Sequence, residues 1–313
     1  MVVLWIAGLV LGVAAAAAGS RRAVGAALEM SESLGISTGL VGLSIMAVGT
    51  DLPEIANSII ASLTGHGDVA VGDGTGSALT QITLILALLI LAAGLSVDMR
   101  RNESKVAVPA GLITVCALVV LAIMLSDGTL SRADGVILVA AWIVSLVWMG
   151  RRDRQADAIP RIPDGQIGGA ILRTLLWLSV VAVAATVIVR SFIEITDSLG
   201  VPEFVASSIV LALGTSLPEL VVDWTAVRRG AAALAIGDLF GSSLVDSTLS
   251  VGIGPIFRPT VVSTEAMTGT IVIAIGVAAA TLVVAFVGSR RALASSLLGI
   301  YGVSTAALIA LTG

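Results

Sequence analysis

One lysine, one histidine, one cysteine and one tyrosine occur in 313 residues, and only 12% of the chain is charged. A soluble domain of this length carries about twice that charge on its surface. The scarcity of Cys and His excludes a disulfide framework, a Cys/His metal cluster and a His-assisted nucleophile. A basic patch for nucleic acid is also missing, and the net charge of −4 says nothing about partners, because what matters is where the charges lie. Cys116 sits in an apolar run and reads as a small packing residue. His66, between Gly65 and Gly67, reads as a solvent-facing loop residue. What fills the chain instead is aliphatic: 57% of it is hydrophobic, with a mean hydropathy of +1.07.

These residues form long apolar runs. A membrane helix needs about 20 apolar residues, more when tilted. Breaks at charges, Gly and Pro give ten candidate spans: 2–19, 36–63, 69–95, 106–125, 132–149, 167–189, 201–226, 233–256, 267–287 and 292–311. The first lacks a basic leader and runs into a Gly-Ser-Arg-Arg stop, so it reads as a span, not a cleaved signal. The polar residues 150–166 cannot cross lipid and divide the chain into halves, 1–149 and 167–313. The predicted fold is an all-α membrane protein with two repeats of five helices. With the N-terminus outside, fourteen of the seventeen Lys and Arg fall in inner loops. These include Arg21, Arg22, Arg100, Arg101, Arg154, Arg161, Arg228 and Arg229, whereas Arg132, Arg190 and Arg258 fall outside. The positive-inside rule then predicts both termini outside and linker 150–166 in the cytoplasm.

An internal repeat is the strongest signal. Sliding the chain on itself by 165 residues aligns 33–81 with 198–246 without a gap. Gly49-Thr50-Asp51-Leu52-Pro53-Glu54 meets Gly214-Thr215-Ser216-Leu217-Pro218-Glu219, and Gly72-Asp73-x-x-Gly76-Ser77 meets Gly237-Asp238-x-x-Gly241-Ser242. Chance likeness among Ala/Leu/Val helices does not recover Pro, Glu, Asp and Gly in register. An odd number of spans per half inverts the second half relative to the first. Inverted halves with Pro-interrupted helices at matching places point to a secondary transporter with a midplane site.

The chemistry of the matched residues agrees. Pro53 and Pro218 have no N–H, which is expected to free the carbonyls around Ala47–Thr50 and Ala212–Thr215. Glu54 and Glu219 follow, and a lone carboxylate in lipid costs at least about 2.5 kcal/mol unless paired or ligated. No Lys or Arg lies near the middle of a span to pair with them, so a bound cation is the economical partner. Ser77 and Gln81, like Ser242 and Asp246, lie four apart on one helix face. If the halves meet at a pseudo-two-fold axis, Glu54, Gln81, Glu219 and Asp246 form one cluster of hard oxygen donors suited to Ca²⁺ and Na⁺. Ser77 and Ser242 have a second reading, bonding back to their own helix. Gly76 and Gly241 read as helix-packing contacts.

At these segments the chain resembles the sodium/calcium exchangers of the cation/calcium exchanger superfamily, whose two repeats read Gly-Thr-Ser-x-Pro-Glu and then Gly-Asn-x-x-Gly-Ser-x-x-x-Asn/Asp. The likeness is specific over roughly 50 residues of each half, and the absence of a large domain between the halves is similar to minimal prokaryotic members. The resemblance implies Glu54 and Glu219 as central Ca²⁺ ligands shared with Na⁺. It implies backbone carbonyls from Thr50 and Thr215, and flanking Na⁺ sites lined by Ser77, Ser242 and the Ala47 and Ala212 carbonyls. Gln81 and Asp246 would complete the centre, and the first and sixth helices would slide as a gate. The chain departs at Asp51, where the family has a small hydroxyl that its mate Ser216 keeps. It departs again at Asp73 and Asp238, each replacing Asn, and at Gln81, longer than the common Asn. Asp223, one turn beyond Glu219, adds a further acid. The extra acids Asp73, Asp223 and Asp238 invite proton coupling.

The expected activity is Na⁺/Ca²⁺ antiport by alternating access, with no cofactor, no enzymatic chemistry, and only the bilayer and transported cations as partners. The alternative is a H⁺-coupled Ca²⁺ or divalent-cation exchanger. From another class, an intramembrane hydrolase using paired acids lacks a Gly-x-Gly-Asp segment and a nucleophile–His arrangement at span centres.

Overall fold

The computed structural model describes residues 2–34, 36–95, 104–153, 167–196 and 203–312. The expectations for Gly35, Arg100, Arg101, Arg154, Arg161, the 198–200 match and most of linker 150–166 lie outside them. The described chain is almost entirely helical, as a run of Ala, Leu, Val and Ile without water-facing periodicity dictates in lipid, where backbone groups must bond within their own segment. In chain order the helices are α1 (Val2–Leu34), α2 (Thr38–Thr50), α3 (Leu52–Thr64), α4 (Gly67–Ala93), α5 (Ser104–Met124) and α6 (Arg132–Asp153). They continue with α7 (Ile167–Thr196), α8 (Ser207–Thr215), α9 (Leu217–Arg228) and α10 (Ala232–Val245, running on through a turn at Asp246–Ser250 into Val251–Phe257). The last two are α11 (Thr264–Phe286) and α12 (Arg290–Thr312). Helix therefore occupies each of the ten segments read from hydropathy. Among the described residues five helices are long and apolar enough to cross a membrane singly, and up to seven if α2–α3 and α8–α9 each count as one bent span. A two-residue β ribbon, Thr129–Leu130 against Thr260–Val261, is the one departure from all-helix among the described residues.

The first span does not stop at Gly-Ser-Arg-Arg. α1 continues unbroken to Leu34, so its 33 residues reach about 50 Å, well beyond a hydrocarbon core of about 30 Å. The polar residues are absorbed by neighbours: Arg22 lies over the Trp177 ring at 4.6 Å, and Ser20 Oγ and Thr225 Oγ1 are 2.9 Å apart. A cation on an indole face is stabilised without leaving the helix. Its partner α7 runs antiparallel to it. A Cβ on Gly19 would touch Val181, Leu11 and Val187 line one groove, and Glu29 meets Arg173 at 3.0 Å. Cys116, expected to pack internally, is exposed on α5.

The 165-residue register reappears in the geometry. Chain breaks fall at Asp51 (φ −80°, ψ 9°) and Ser216 (φ −78°, ψ 9°), where the helices bend by 46° and 44°. α3 is capped by Gly65 (φ 87°), and the matched Gly230 (φ 77°) follows the Arg229 cap of α9, both in a left-handed conformation that residues with a Cβ avoid. Turns of the wider i→i+5 kind recur at Gly42–Met46 and Ser207–Leu211, and again at Gln81–Ile85 and Asp246–Ser250. Contacts swap between halves in the same way. A Cβ on Gly76 would overlap the backbone of Ser208, and one on Gly241 the backbone of Leu43, the position matched to Ser208. Glycine is required there because two backbones touch, as the packing reading anticipated.

Polarity runs opposite to that of a water-soluble protein. Val136, Ile137, Ile143, Val144 and Val147 stand exposed along α6, as do Ile271, Ile275 and Leu282 along α11. The interior meanwhile holds Asp51, Glu54, Asp73, Glu219, Asp223, Asp238 and Asp246. An exterior this apolar needs lipid against it. The interior acids need partners.

Candidate cation site

The site is built where the two bends meet. Pro53 and Pro218 sit in the first turns of α3 and α9, where a missing N–H does no harm to the helix they open. Each removes the donor that the carbonyl four residues earlier, on Gly49 or Gly214, would have used. The expectation that the Ala47 and Ala212 carbonyls are free needs correction: they accept the N–H of Asp51 at 3.0 Å and of Ser216 at 3.1 Å. Side-chain hydroxyls use their remaining capacity: Thr50 Oγ1 donates to the Ala47 carbonyl at 3.2 Å and Thr215 Oγ1 to the Ala212 carbonyl at 3.3 Å.

Directly after the breaks, Asp51, Glu54 and Glu219 present carboxylate oxygens that lie within 4.8 Å of one another, all buried. Neither oxygen of any of the three has a hydrogen-bond partner, and Ser216 Oγ lacks one too. Among the described residues the one salt bridge is the exposed Arg173–Glu29 pair, so no cationic side chain answers these charges. Three like charges in low dielectric repel by several kcal/mol each unless a cation or proton sits between them. The grouping differs from the expected Glu54–Gln81–Glu219–Asp246 cluster: Asp51 joins the two glutamates, while Gln81 and Asp246 pair with each other.

Asp246 is tied instead to its own mate. Gln81 Nε2 donates to Asp246 Oδ2 at 2.9 Å, leaving Asp246 Oδ1 without a partner, and Ser243 Oγ donates to Gln81 Oε1 at 3.0 Å. The serines bond across the interface and not back to their own helices. Ser77 Oγ reaches Thr215 Oγ1 at 3.3 Å and donates to the Ala212 carbonyl at 3.4 Å, and Ser242 Oγ reaches Thr50 Oγ1 at 3.2 Å. Thr50–Ser242 and Thr215–Ser77 are one contact exchanged between halves.

The remaining acids differ by half. Asp73 is fully answered, accepting from Asn57 Nδ2 at 2.7 Å and Thr215 Oγ1 at 2.9 Å. Asp223 and Asp238 adjoin each other, and none of their four oxygens has a partner. Sequence reading missed Asn57 and Ser243. Asn57 carried a faint signal, as the one amide a turn beyond Pro53-Glu54. Ser243 carried none, since its repeat mate is Ala78. His66 is exposed, with Nδ1 3.0 Å from Thr64 Oγ1, and no buried nucleophile–His pair exists among the described residues.

Comparison with known proteins agrees with this architecture. The family profile described as "Sodium/calcium exchanger protein" matches residues 4–151 and 169–310. The chain is 30% identical to the putative antiporter CaxA of Alkalimonas amylolytica over 260 residues, covering 78% of each chain. It is 29% identical to the inner membrane protein YrbG of Escherichia coli over 264 residues, covering 80% of this chain and 79% of that one. Solved structures of the sodium-calcium exchanger NCX_Mj superpose with a TM-score of 0.77 at 24% identity, over 98% of this chain and 99% of that one. Fold and family are those of a membrane transporter, not of a hydrolase or any other enzyme. The chain belongs to the sodium/calcium exchanger protein family.

Proposed function

We propose that the protein is a secondary antiporter that exchanges Na⁺ for Ca²⁺, carrying each in turn at the Asp51–Glu54–Glu219 group. One observation carries the reading: three buried carboxylates within mutual ligating distance, with no buried cationic side chain among the described residues to neutralise them. Hard carboxylate oxygens and the Gly49 and Gly214 carbonyls opposite the prolines form a donor set of the kind Ca²⁺ and Na⁺ take, with the Ala47 and Ala212 carbonyls joining it only by giving up their hydroxyl partners. Because both ions need the same oxygens, they compete, and each half-cycle moves one species. Thr50, Thr215, Ser77 and Ser242 brace the group across the interface, and Gln81 holds Asp246 at its edge.

The two halves are read as inverted in the bilayer. The antiparallel run of α1 and α7 supports this, as do the exchanged Thr50–Ser242 and Thr215–Ser77 contacts. Arg distribution supports an orientation with both termini outside. Access would alternate by motion of α1 and α7, which lie against each other as one pair, relative to the rest.

A H⁺-coupled exchanger is the second reading, favoured by the unpartnered acids Asp223 and Asp238. Flux into sealed vesicles separates the two. Ca²⁺ uptake driven by an outward Na⁺ gradient, and not by K⁺ or H⁺ gradients, is the expected result. Uptake indifferent to Na⁺ but driven by ΔpH replaces Na⁺ with H⁺, and uptake driven by neither removes the antiport reading.

A further inference from the structure

The repeat makes a comparison possible within one molecule. In the first half, the acid on α4, Asp73, receives the Asn57 amide at 2.7 Å and the Thr215 hydroxyl at 2.9 Å. In the second half, the matched acid on α10 is Asp238, and the residue matched to Asn57 is Val222. The next position brings Asp223 where the first half has Ser58. The donor Asn57 thus has no polar mate, and an acid stands one position further on. Asp223 and Asp238 adjoin from two different helices, are wholly buried, and leave all four oxygens without a donor. The Asn57 amide supplies positive character to the α4 carboxylate, and Val222 at the matched position supplies none to the α10 carboxylate. In the second half no residue supplies it.

We infer that Asp223 and Asp238 form a second cation position, in series with the central group and present on one side only. Asp223 lies four residues beyond Glu219 on the same face of α9, roughly 6 Å along the axis toward Arg228. The position therefore lies between the centre and the end of α9 that bears Arg228 and Arg229. Its occupant is a hard cation of the kind carboxylates take, and two carboxylates from separate helices let it pause on the way to the centre. The mirrored place, closed by Asn57, offers no such stop, so the two sides of the membrane meet different pathways. This inference rests on the exchange reading of the central group.

Equilibrium binding to the purified full chain tests it, with ²²Na⁺ and ⁴⁵Ca²⁺ as separate probes. Glu54→Gln with Glu219→Gln disables the centre, and residual binding of at least one of the two ions is expected. Adding Asp223→Asn is expected to weaken that residual binding at least tenfold. Adding Val222→Asn with Asp223→Ser instead, which rebuilds the first-half arrangement around Asp238, is expected to do the same while thermal melting shows a folded protein. Which ion remains identifies the occupant. The inference is overturned if the double Gln variant binds neither ion, or if its residual binding survives the rebuilt arrangement. Failure of the underlying reading looks different: the double Gln variant would still exchange ions in vesicles.

Discussion

At the scale of residues, the proposed exchange depends on acids that the fold buries without counter-charges among the described residues. Glu54→Gln and Glu219→Gln each keep the shape and remove one charge from the group. Each is expected to lower Ca²⁺ flux by about a hundredfold, near 2.7 kcal/mol, in vesicle uptake at subsaturating Ca²⁺. Retention of flux by either would mean that the ion does not use both halves. Asp51→Ser, which makes the first repeat match Ser216, takes the group from three carboxylates to two. Competition of Na⁺ against ⁴⁵Ca²⁺ uptake is expected to show Ca²⁺ affinity falling about tenfold and Na⁺ affinity falling less, since the divalent ion loses twice the Coulomb energy per removed charge. Much of this was legible in the chain. Pro-Glu at 53–54 and 218–219 stands out against aliphatic neighbours, and a fixed 165-residue offset marks both as one feature. The partners of Asp73 and Gln81 were not legible, because Asn57 and Ser243 matter through where their helices cross, which no local pattern encodes.

Among the elements, the wide turns and the touching backbones decide how the broken helices hold position. The turns at Gln81–Ile85 and Asp246–Ser250 rotate the following residues by about one position around the helix, and each opens on the residue, Gln81 or Asp246, that meets its mate across the halves. Hydropathy cannot show such a turn, since it changes geometry without changing composition. Nor could it show that α1 passes through Arg21 and Arg22: a charge pair reads as a stop until a Trp from another helix is known to lie over it. Glycine at 76 and 241 is a firmer inference, and it yields a prediction. Gly76→Val or Gly241→Val drives a side chain into the facing backbone, and each is expected to cost about 1–3 kcal/mol, read as a lowered melting temperature in detergent. A variant that melts like the parent would show that α4 and α8, or α10 and α2, are free to separate.

For the whole molecule, the question is which bodies move. α1 packs along α7 over much of its length but also touches α9 through Ser20 and Thr225, whose oxygens are 2.9 Å apart. If α1 and α7 move as proposed, a disulfide between Ser20→Cys and Thr225→Cys would tie them to α9, and is expected to stop exchange until a reductant is added. A disulfide between Gly19→Cys and Val181→Cys joins α1 to α7 themselves, and is expected to leave exchange running. Equal inhibition by both, measured as ⁴⁵Ca²⁺ uptake before and after reduction, would mean that the two helices do not travel together. The uncompensated interior finally sets a condition on the empty protein. With Asp51, Glu54 and Glu219 ionised and no ion among them, closing the site to water on both sides would strand charge in a dry interior. On the proposed exchange cycle the vacant carrier would stay wet from one side or the other unless protons neutralise the acids, so solvation alone would disfavour closing it empty and would suppress leak without a separate latch.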